Sequence, residues 1–310
     1  MIFAARGVMV SLAFFSLVYS VFCLLALVAW QGLGWFSRSR PIPANLWFGL
    51  RVSPFLLSAT ITLFLTFPSF LLLEAHSMDE DLGTFVLSVS AALFLGGGLY
   101  QVMTAAARTR RVVAGCLEGA RGLTTADATS AVVSPQSVLP LMLIGIRMPK
   151  VLISEAARGI LSEAELRAAV RHEFQHSRTR DNLKKAILSC LPFPGMAGLE
   201  RTWQEAAELA ADRGAVSSRE EALDLASALI KLSRRFPAQA APAFTTGLVS
   251  MPGSVATRVE HLLAWKEASD QAHSHWGYGV PLALAAIVGL AAKLGSVLIL
   301  MHSLTERLVP

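Results

Sequence analysis

Three runs without a charged residue dominate the first third of the chain: Gly7 to Ser37, Val52 to Leu73 and Leu82 to Ala107. Each is long enough, as a helix rising 1.5 Å per residue, to cross a bilayer core of about 30 Å. Three transmembrane helices are therefore expected. For the first run, a cleaved secretory signal is the competing reading. Its apolar region should be shorter, and no small-residue cleavage site follows Val28, Ala29 and Trp30, so a retained helix is expected. Pro54 and Pro68 fall near the ends of the second run, where a lost backbone hydrogen bond costs least. The triplet Gly96-Gly97-Gly98 in the third run offers a place for close helix contact. A fourth run, Trp276 to Met301, is interrupted only by Lys293, which is close enough to a helix end to snorkel to the interface.

Between Arg108 and His275 the pattern changes. Nearly all the remaining charge lies here, with no spanning run. The predicted organisation is a three-helix membrane region at 1–107, a soluble domain at 108–275, and a last membrane helix with a short tail at 276–310. Leu141 to Ile146 (LMLIGI) and Val151 to Ser154 (VLIS) are short apolar runs joined by Arg147, Met148, Pro149 and Lys150, which predicts a β-hairpin. Ser162 and Glu165 then form a capping box, S-x-x-E, opening a helix whose Leu166, Val170 and Phe174 recur at spacing four. This helix is expected to continue through Asp181 and Lys185 until Leu191-Pro192-Phe193-Pro194-Gly195 stops it. Further helices are expected at about Leu199 to Val216, Ser218 to Arg235 and Ala256 to Ala268, with Pro237, Pro242 and Pro252 marking a loop. The expected fold class is a mainly α membrane protein: four transmembrane helices plus an α+β domain with a small hairpin.

Composition strengthens this picture. Hydrophobic residues make up 54% of the 310, charged residues 16%, and the mean hydropathy of +0.52 is far above that of a soluble domain. The net charge of +5 does not indicate nucleic acid, because the basic residues cluster beside the apolar runs and no nucleic-acid motif occurs. A loop from Gly34 to Arg51, carrying Arg38, Arg40 and Arg51 and no acid, is expected before the second run, Glu74, Asp79, Glu80 and Asp81 follow that run, and Arg108, Arg110 and Arg111 follow the third. The positive-inside bias then puts the N-terminus outside and the soluble domain in the cytoplasm, with Arg6 a minor exception. Cys23, Cys116 and Cys190 have no paired spacing and read as ordinary thiols.

Within the capped helix lies His172-Glu173-Phe174-Gln175-His176, an HExxH motif. Residues four apart share a helix face, so both imidazoles can reach one metal ion with Glu173 beside them, the arrangement of a zinc hydrolase. A catalytic zinc takes three protein ligands and keeps one position for water. Candidates for the third are His261, His273, His275 and the acids Glu205, Glu208 and Asp212, which recur at helical spacing on one face. His273 and His275 abut the fourth apolar run and read more naturally as interfacial. The bland reading of the acids is a solvated helix face.

HEFQH followed by Arg180-Asp181-Asn182, a proline-interrupted connection and Glu208-Leu209-Ala210-Ala211-Asp212-Arg213 (E-x-x-A-D-R) resembles the BlaR/MecR-type membrane metallopeptidases, relatives of the HtpX-like peptidases. The match is close over residues 140–216. The resemblance implies a zincin-like gluzincin domain in which His172, His176 and Glu208 hold zinc, Glu173 is the catalytic acid/base and Asp212 orients a ligand imidazole. It also implies a place in a bacterial inner or plasma membrane and a protein substrate, either a cytoplasmic repressor or the chain's own juxtamembrane segment after Arg108. Antibiotic-sensing members carry a penicillin-binding domain after their last membrane helix. This sequence has no S-x-x-K motif, so β-lactam sensing by these residues themselves is not expected.

Two matters stay open at this level. The strand at Leu141 to Ile146 is either an edge along which an extended substrate pairs or part of the core. Arg258 and His261 are candidate oxyanion donors, Arg258 equally a structural ion-pair partner. The alternatives to a signalling protease are an HtpX-like quality-control peptidase and a non-catalytic signalling or scaffold protein with a zinc-stabilised fold. An intact Glu173 weighs against the last. A transporter is disfavoured because three of the four runs contain no charge.

Overall fold

A computed structural model describes residues 2–36, 42–73, 82–124, 130–137, 139–146, 148–236, 243–248 and 254–266, together with 299, 300 and 303. The chain is mainly helical with one small mixed sheet. Its residues divide into two compact units: Met1–Trp35, Gly49–Gly97 and Ala268–Pro310 form the first, Phe36–Phe48 and Gly98–Glu267 the second. The fourth apolar run, including Lys293, lies outside the described residues apart from its last positions.

Among the described residues, three helices are long and apolar enough to cross a membrane, spanning Arg6–Trp35, Ala44–Leu72 and Thr84–Leu117. They belong to α1 (Ile2–Phe36), to α2 (Ala44–Ile61) continued through a π-helical turn (Thr62–Thr66) into α3 (Phe67–Leu73), and to α4 (Leu82–Leu117). The π turn ends two residues before Pro68, whose missing N–H cannot serve the carbonyl four residues back, and the Phe67 N–H closes the turn on the Thr62 carbonyl. Val10, Ala13, Phe14 and Phe70 are buried together, while Leu24, Leu25, Leu63, Phe64, Leu72 and Leu93 stand exposed. Apolar side chains facing outward are what a lipid solvent allows.

Both ends of these helices differ from the sequence expectation. α2 begins at Ala44, where the Pro43 carbonyl accepts from the Leu46 N–H at 3.0 Å, so Arg51 is not in a loop but inside the helix, 1% exposed. A helix starts at its cap rather than at its first uncharged stretch. α4 likewise runs past Arg108, Arg110 and Arg111 to Leu117, since nothing in that stretch breaks a helix. Within the Gly96-Gly97-Gly98 triplet only Gly98 makes the close approach. A side chain there would collide with the Cys190 carbonyl, whereas Gly96 and Gly97 face open space.

In the second unit, β1 (Arg121–Thr124), β2 (Ser130–Ser134), β3 (Leu141–Ile144), β4 (Lys150–Ser154) and β5 (Thr246–Gly247) form one sheet in the order β1-β2-β4-β3-β5. The expected hairpin is present as antiparallel β3 and β4, Leu141 opposite Ile153 and Leu143 opposite Val151. Gly145, at φ +90, makes the turn possible, because a side chain there would meet the Met148 carbonyl at 2.8 Å. Strands β1 and β2 were not anticipated. Both faces of the hairpin are buried, so its strands read as continuous apolar runs. Leu141, Leu143, Val151 and Ile153 face the main core, and Met142, Ile144 and Leu152 face Val113 and Cys116 of α4.

Against the main-core face pack α5 (Glu155–Ile160), α6 (Glu163–Arg178) and α9 (Arg219–Arg235), contributing Ala157, Ala169, Leu225, Leu229 and Leu232. α7 (Asp181–Ser189), α8 (Ala197–Ala215) and α10 (Ser254–Leu263) complete the unit. α6 opens on the expected capping box: Ser162 Oγ accepts from the Glu165 N–H at 3.2 Å, and Glu165 Oε2 accepts from the Ser162 N–H at 2.8 Å. The helix does not continue through Lys185. It stops at Arg178, and Arg180 turns into the left-handed region at φ 55, ψ 39 before α7 begins.

Candidate metal centre

α6 carries His172, Glu173 and His176 into the interior, where each is at most 1% exposed. α8 brings Glu208 and Asp212, one turn apart, onto the same spot. His172, His176 and Glu208 form the cluster that could hold a metal ion. The two Nε2 atoms are 3.2 Å apart, Glu208 Oε2 is 3.4 Å from His172 Nε2, and Glu208 Oε1 is 3.6 Å from His176 Nε2. With one ligand atom taken from each residue, all three lie within 4.8 Å of one another, close enough to converge on a single ion.

The remaining ring nitrogens are held from behind. Asp212 Oδ1 lies 2.9 Å from His172 Nδ1, and Asp181 Oδ2 lies 2.7 Å from His176 Nδ1. An Nδ1–H bonded to a carboxylate leaves Nε2 as the free lone pair, directed at the ion position. Asp212 was expected in this role. Asp181, which spacing alone does not relate to His176, reaches it through the chain reversal at Arg180.

The other candidates lie elsewhere. Glu205 is exposed on α8, and His261 is exposed on α10. His273 and His275 lie outside the described residues. Arg258, 2% exposed, donates from Nε to Asp212 Oδ2 at 2.7 Å, from Nη2 to Asp212 Oδ1 at 2.6 Å and from Nη1 to the Leu248 carbonyl at 2.7 Å. Nη1 also lies 3.0 Å from Glu208 Oε2. Its donors are thus committed to protein acceptors, and it serves as an ion-pair partner.

β5 is, like β1 and β2, an element that the sequence pattern does not signal. It pairs with β3, placing Gly247 opposite Met142 and Thr246 opposite Leu143. On α7, Asn182 Nδ2 donates to the Leu143 and Gly145 carbonyls at 3.2 and 3.0 Å. Among the described residues, β5 and Asn182 therefore occupy the β3 edge at Met142, Leu143 and Gly145, in keeping with the core reading of that strand. β5 also reaches the motif: Thr246 Oγ1 donates to Glu173 Oε2 at 3.3 Å, and Lys185 Nζ donates to the Thr245 carbonyl at 2.8 Å. Two residues with no apolar pattern leave nothing in the sequence to signal a strand.

The electrostatics favour a cation. Four buried carboxylates, Glu173, Asp181, Glu208 and Asp212, surround two imidazoles. Burial alone would neutralise His176, but Glu208, Asp181 and Glu173 reverse this and push its pKa up to about 10. Burial likewise opposes charge on Glu208, yet Arg258 and the imidazoles hold its carboxyl well below the usual range. Glu173 goes the other way: desolvation raises it. Glu173 Oε1 is buried with no hydrogen-bond partner, and Glu208 Oε2 meets Arg258 Nη1 and His172 Nε2 at ion-pair distances of 3.0 and 3.4 Å. Glu208 belongs to the candidate metal cluster and Glu173 follows His172 on α6, so a cation with its water would supply the partner that the buried Glu173 Oε1 lacks.

No family model and no curated protein sequence matches the chain.

Proposed function

We propose that this chain is a membrane-embedded zinc metalloendopeptidase of the BlaR/MecR type, with its catalytic domain on the cytoplasmic side. The observation that carries this reading is the buried cluster of His172, His176 and Glu208, whose ligand atoms lie within 4.8 Å of one another, beside a Glu173 oxygen with no partner of its own. Zinc suits two imidazoles and a carboxylate, and when bound there it supplies Lewis-acid chemistry, acidifying water and polarising a peptide carbonyl. Glu173 takes the proton of the attacking water on its unpartnered Oε1 and delivers it to the leaving amine, assisted by a pKa that burial raises. Thr246 holds the opposite oxygen and so fixes the carboxylate plane. Asp212 and Asp181 keep both imidazoles in the ligating tautomer.

The substrate is a locally extended segment of a cytoplasmic or membrane-proximal protein, cut in signalling or regulated proteolysis. The chain's own residues just after Arg108 are the weaker candidate, because α4 keeps them helical to Leu117 and a scissile peptide must be extended. The test uses the full-length protein purified in detergent. Zinc at one equivalent per chain, with proteolysis abolished in Glu173→Gln while zinc is retained, is the expected result. Proteolysis that survives Glu173→Gln would sink the mechanism.

A further inference from the structure

We propose that Lys184 and Asn45 are positioning residues for the metal centre, coupling the first turn of α2 to the His176 imidazole. This rests on the metal-site reading above and adds to it the element through which a membrane helix can act on the site. The chain of contacts is continuous. Asp181 holds His176 Nδ1 through Oδ2 at 2.7 Å and is itself held through Oδ1 by Lys184 Nζ at 3.3 Å. Lys184 Nζ then donates to Asn45 Oδ1 at 2.8 Å. Its ammonium also lies over the Phe48 ring, 5.7 Å from the centroid.

Asn45 and Phe48 both belong to the first turn of α2, the helix that passes from the second unit to the first at Gly49 and continues as an apolar span to Leu72. The same turn touches α8. Phe48 packs on the fully buried Trp203 ring at 6.0 Å, five residues before Glu208. One helical turn thus bears on both helices that complete the site, α7 through Asp181 and α8 through the turn preceding Glu208.

The physical effect follows from geometry. A carboxylate engaged at both oxygens cannot rotate about its terminal bond, so Lys184 fixes the plane in which Asp181 meets the imidazole. A lysine has four flexible bonds, and Asn45 together with the Phe48 face selects one of its many rotamers. Displacing the first turn of α2 removes that selection and loosens His176. A cavity of about 480 Å³, bordered by Asn45, Trp47, Asp181, Lys184, Glu205 and Arg213, leaves room for such a displacement.

Zinc affinity of the full-length protein in detergent, measured by competition with a chelating dye, tests the coupling without requiring a known substrate. Asp181→Ala is expected to weaken zinc binding by about tenfold to a hundredfold, and Lys184→Met and Asn45→Ala each by about threefold to tenfold. Asn45→Asp keeps an acceptor oxygen and is expected to retain affinity within about twofold. Asn45 is exposed, so its replacement does not threaten folding. In an Asp181→Ala background Lys184→Met should add nothing, because both act through one carboxylate. Wild-type affinity in both Lys184→Met and Asn45→Ala, beside a weakened Asp181→Ala, overturns the coupling and leaves the metal site standing. Full additivity of Lys184→Met with Asp181→Ala overturns it as well. A wild-type chain that takes up no divalent metal overturns the metallopeptidase reading, and the coupling with it.

Discussion

Asp181 Oδ2 sits 2.7 Å from His176 Nδ1, although the two residues are five apart in sequence. On an uninterrupted helix they would point about 140° apart. The break at Arg180 brings them together, and a non-glycine residue at φ 55 costs about 1–2 kcal/mol. Arg180→Gly is therefore expected to leave the metal centre intact and raise stability by up to about 1 kcal/mol. Arg180→Val, whose branched side chain disfavours that conformation, should lower both stability and zinc affinity. Thermal unfolding in detergent beside a zinc titration checks the pair, and a stable, tightly binding Arg180→Val would contradict the role given to the turn.

Glu208 and Glu205 occupy neighbouring turns of α8, yet Glu208 is 6% exposed and Glu205 faces solvent. Glu208→Ala should reduce bound zinc to a small fraction of one equivalent, since a three-ligand site that loses its only anionic ligand loses most of its affinity. Glu205→Ala and His261→Ala should each retain full occupancy. Metal analysis of the three purified variants decides, and zinc lost only in Glu205→Ala would reassign the third ligand.

Glu165 links α6 to α9. Beyond its capping bond to Ser162, it accepts from Lys231 Nζ at 2.8 Å and from Ser227 Oγ at 2.5 Å. Burial would raise its pKa, but Lys231, Ser227 and the Ser162 N–H together lower it below the ordinary value. A depressed carboxyl contributes stability that is complete above its ordinary pKa, about 4.5, and is lost as pH falls through the lower folded value. Lys231→Met raises the folded pKa and so moves this loss to higher pH. Acid unfolding followed by circular dichroism should show the variant giving way at the higher pH. Near neutrality the cost should stay under about 1 kcal/mol, because Lys231 is 43% exposed and screened by solvent.

What was legible in the sequence was what local rules encode. The capping box at Ser162, the hairpin from Leu141 to Ser154, the three apolar spans and the pairing of His172 with His176 follow from spacing, run length or motif, whereas Glu208 is singled out from the other acids only by the family resemblance. The missed features depend on tertiary context. Asp181 meets His176 only because Arg180 adopts a rare backbone conformation, and no residue type announces that as a glycine would. Thr246 reaches Glu173 from a two-residue strand whose existence rests on pairing with β3. Charge marks Arg51 as a loop residue, whereas the helix boundary is set at Pro43. Asn45 and Lys184 are 139 residues apart, and no periodicity relates them.

Arg258 separates a structural ion pair from a catalytic cation. It spends Nε and Nη2 on Asp212 and Nη1 on the Leu248 carbonyl, and Asp212 and Glu208 hold it fully charged despite its burial. Breaking a buried pair by removing one partner leaves the other charge uncompensated, at a cost of about 3–5 kcal/mol. Arg258→Met should destabilise the chain by that order, and it should also weaken zinc binding, because Asp212 would no longer be held against His172 Nδ1. Arg258→Lys keeps the charge but cannot grip both Asp212 oxygens while serving Leu248, so an intermediate loss of stability is expected. If Arg258 instead met the developing oxyanion of the substrate, Arg258→Lys would lower kcat at unchanged thermal stability. Unfolding temperature and turnover measured on the same preparation distinguish the two, and a fall in kcat without a fall in stability would overturn the assignment made from its hydrogen bonds.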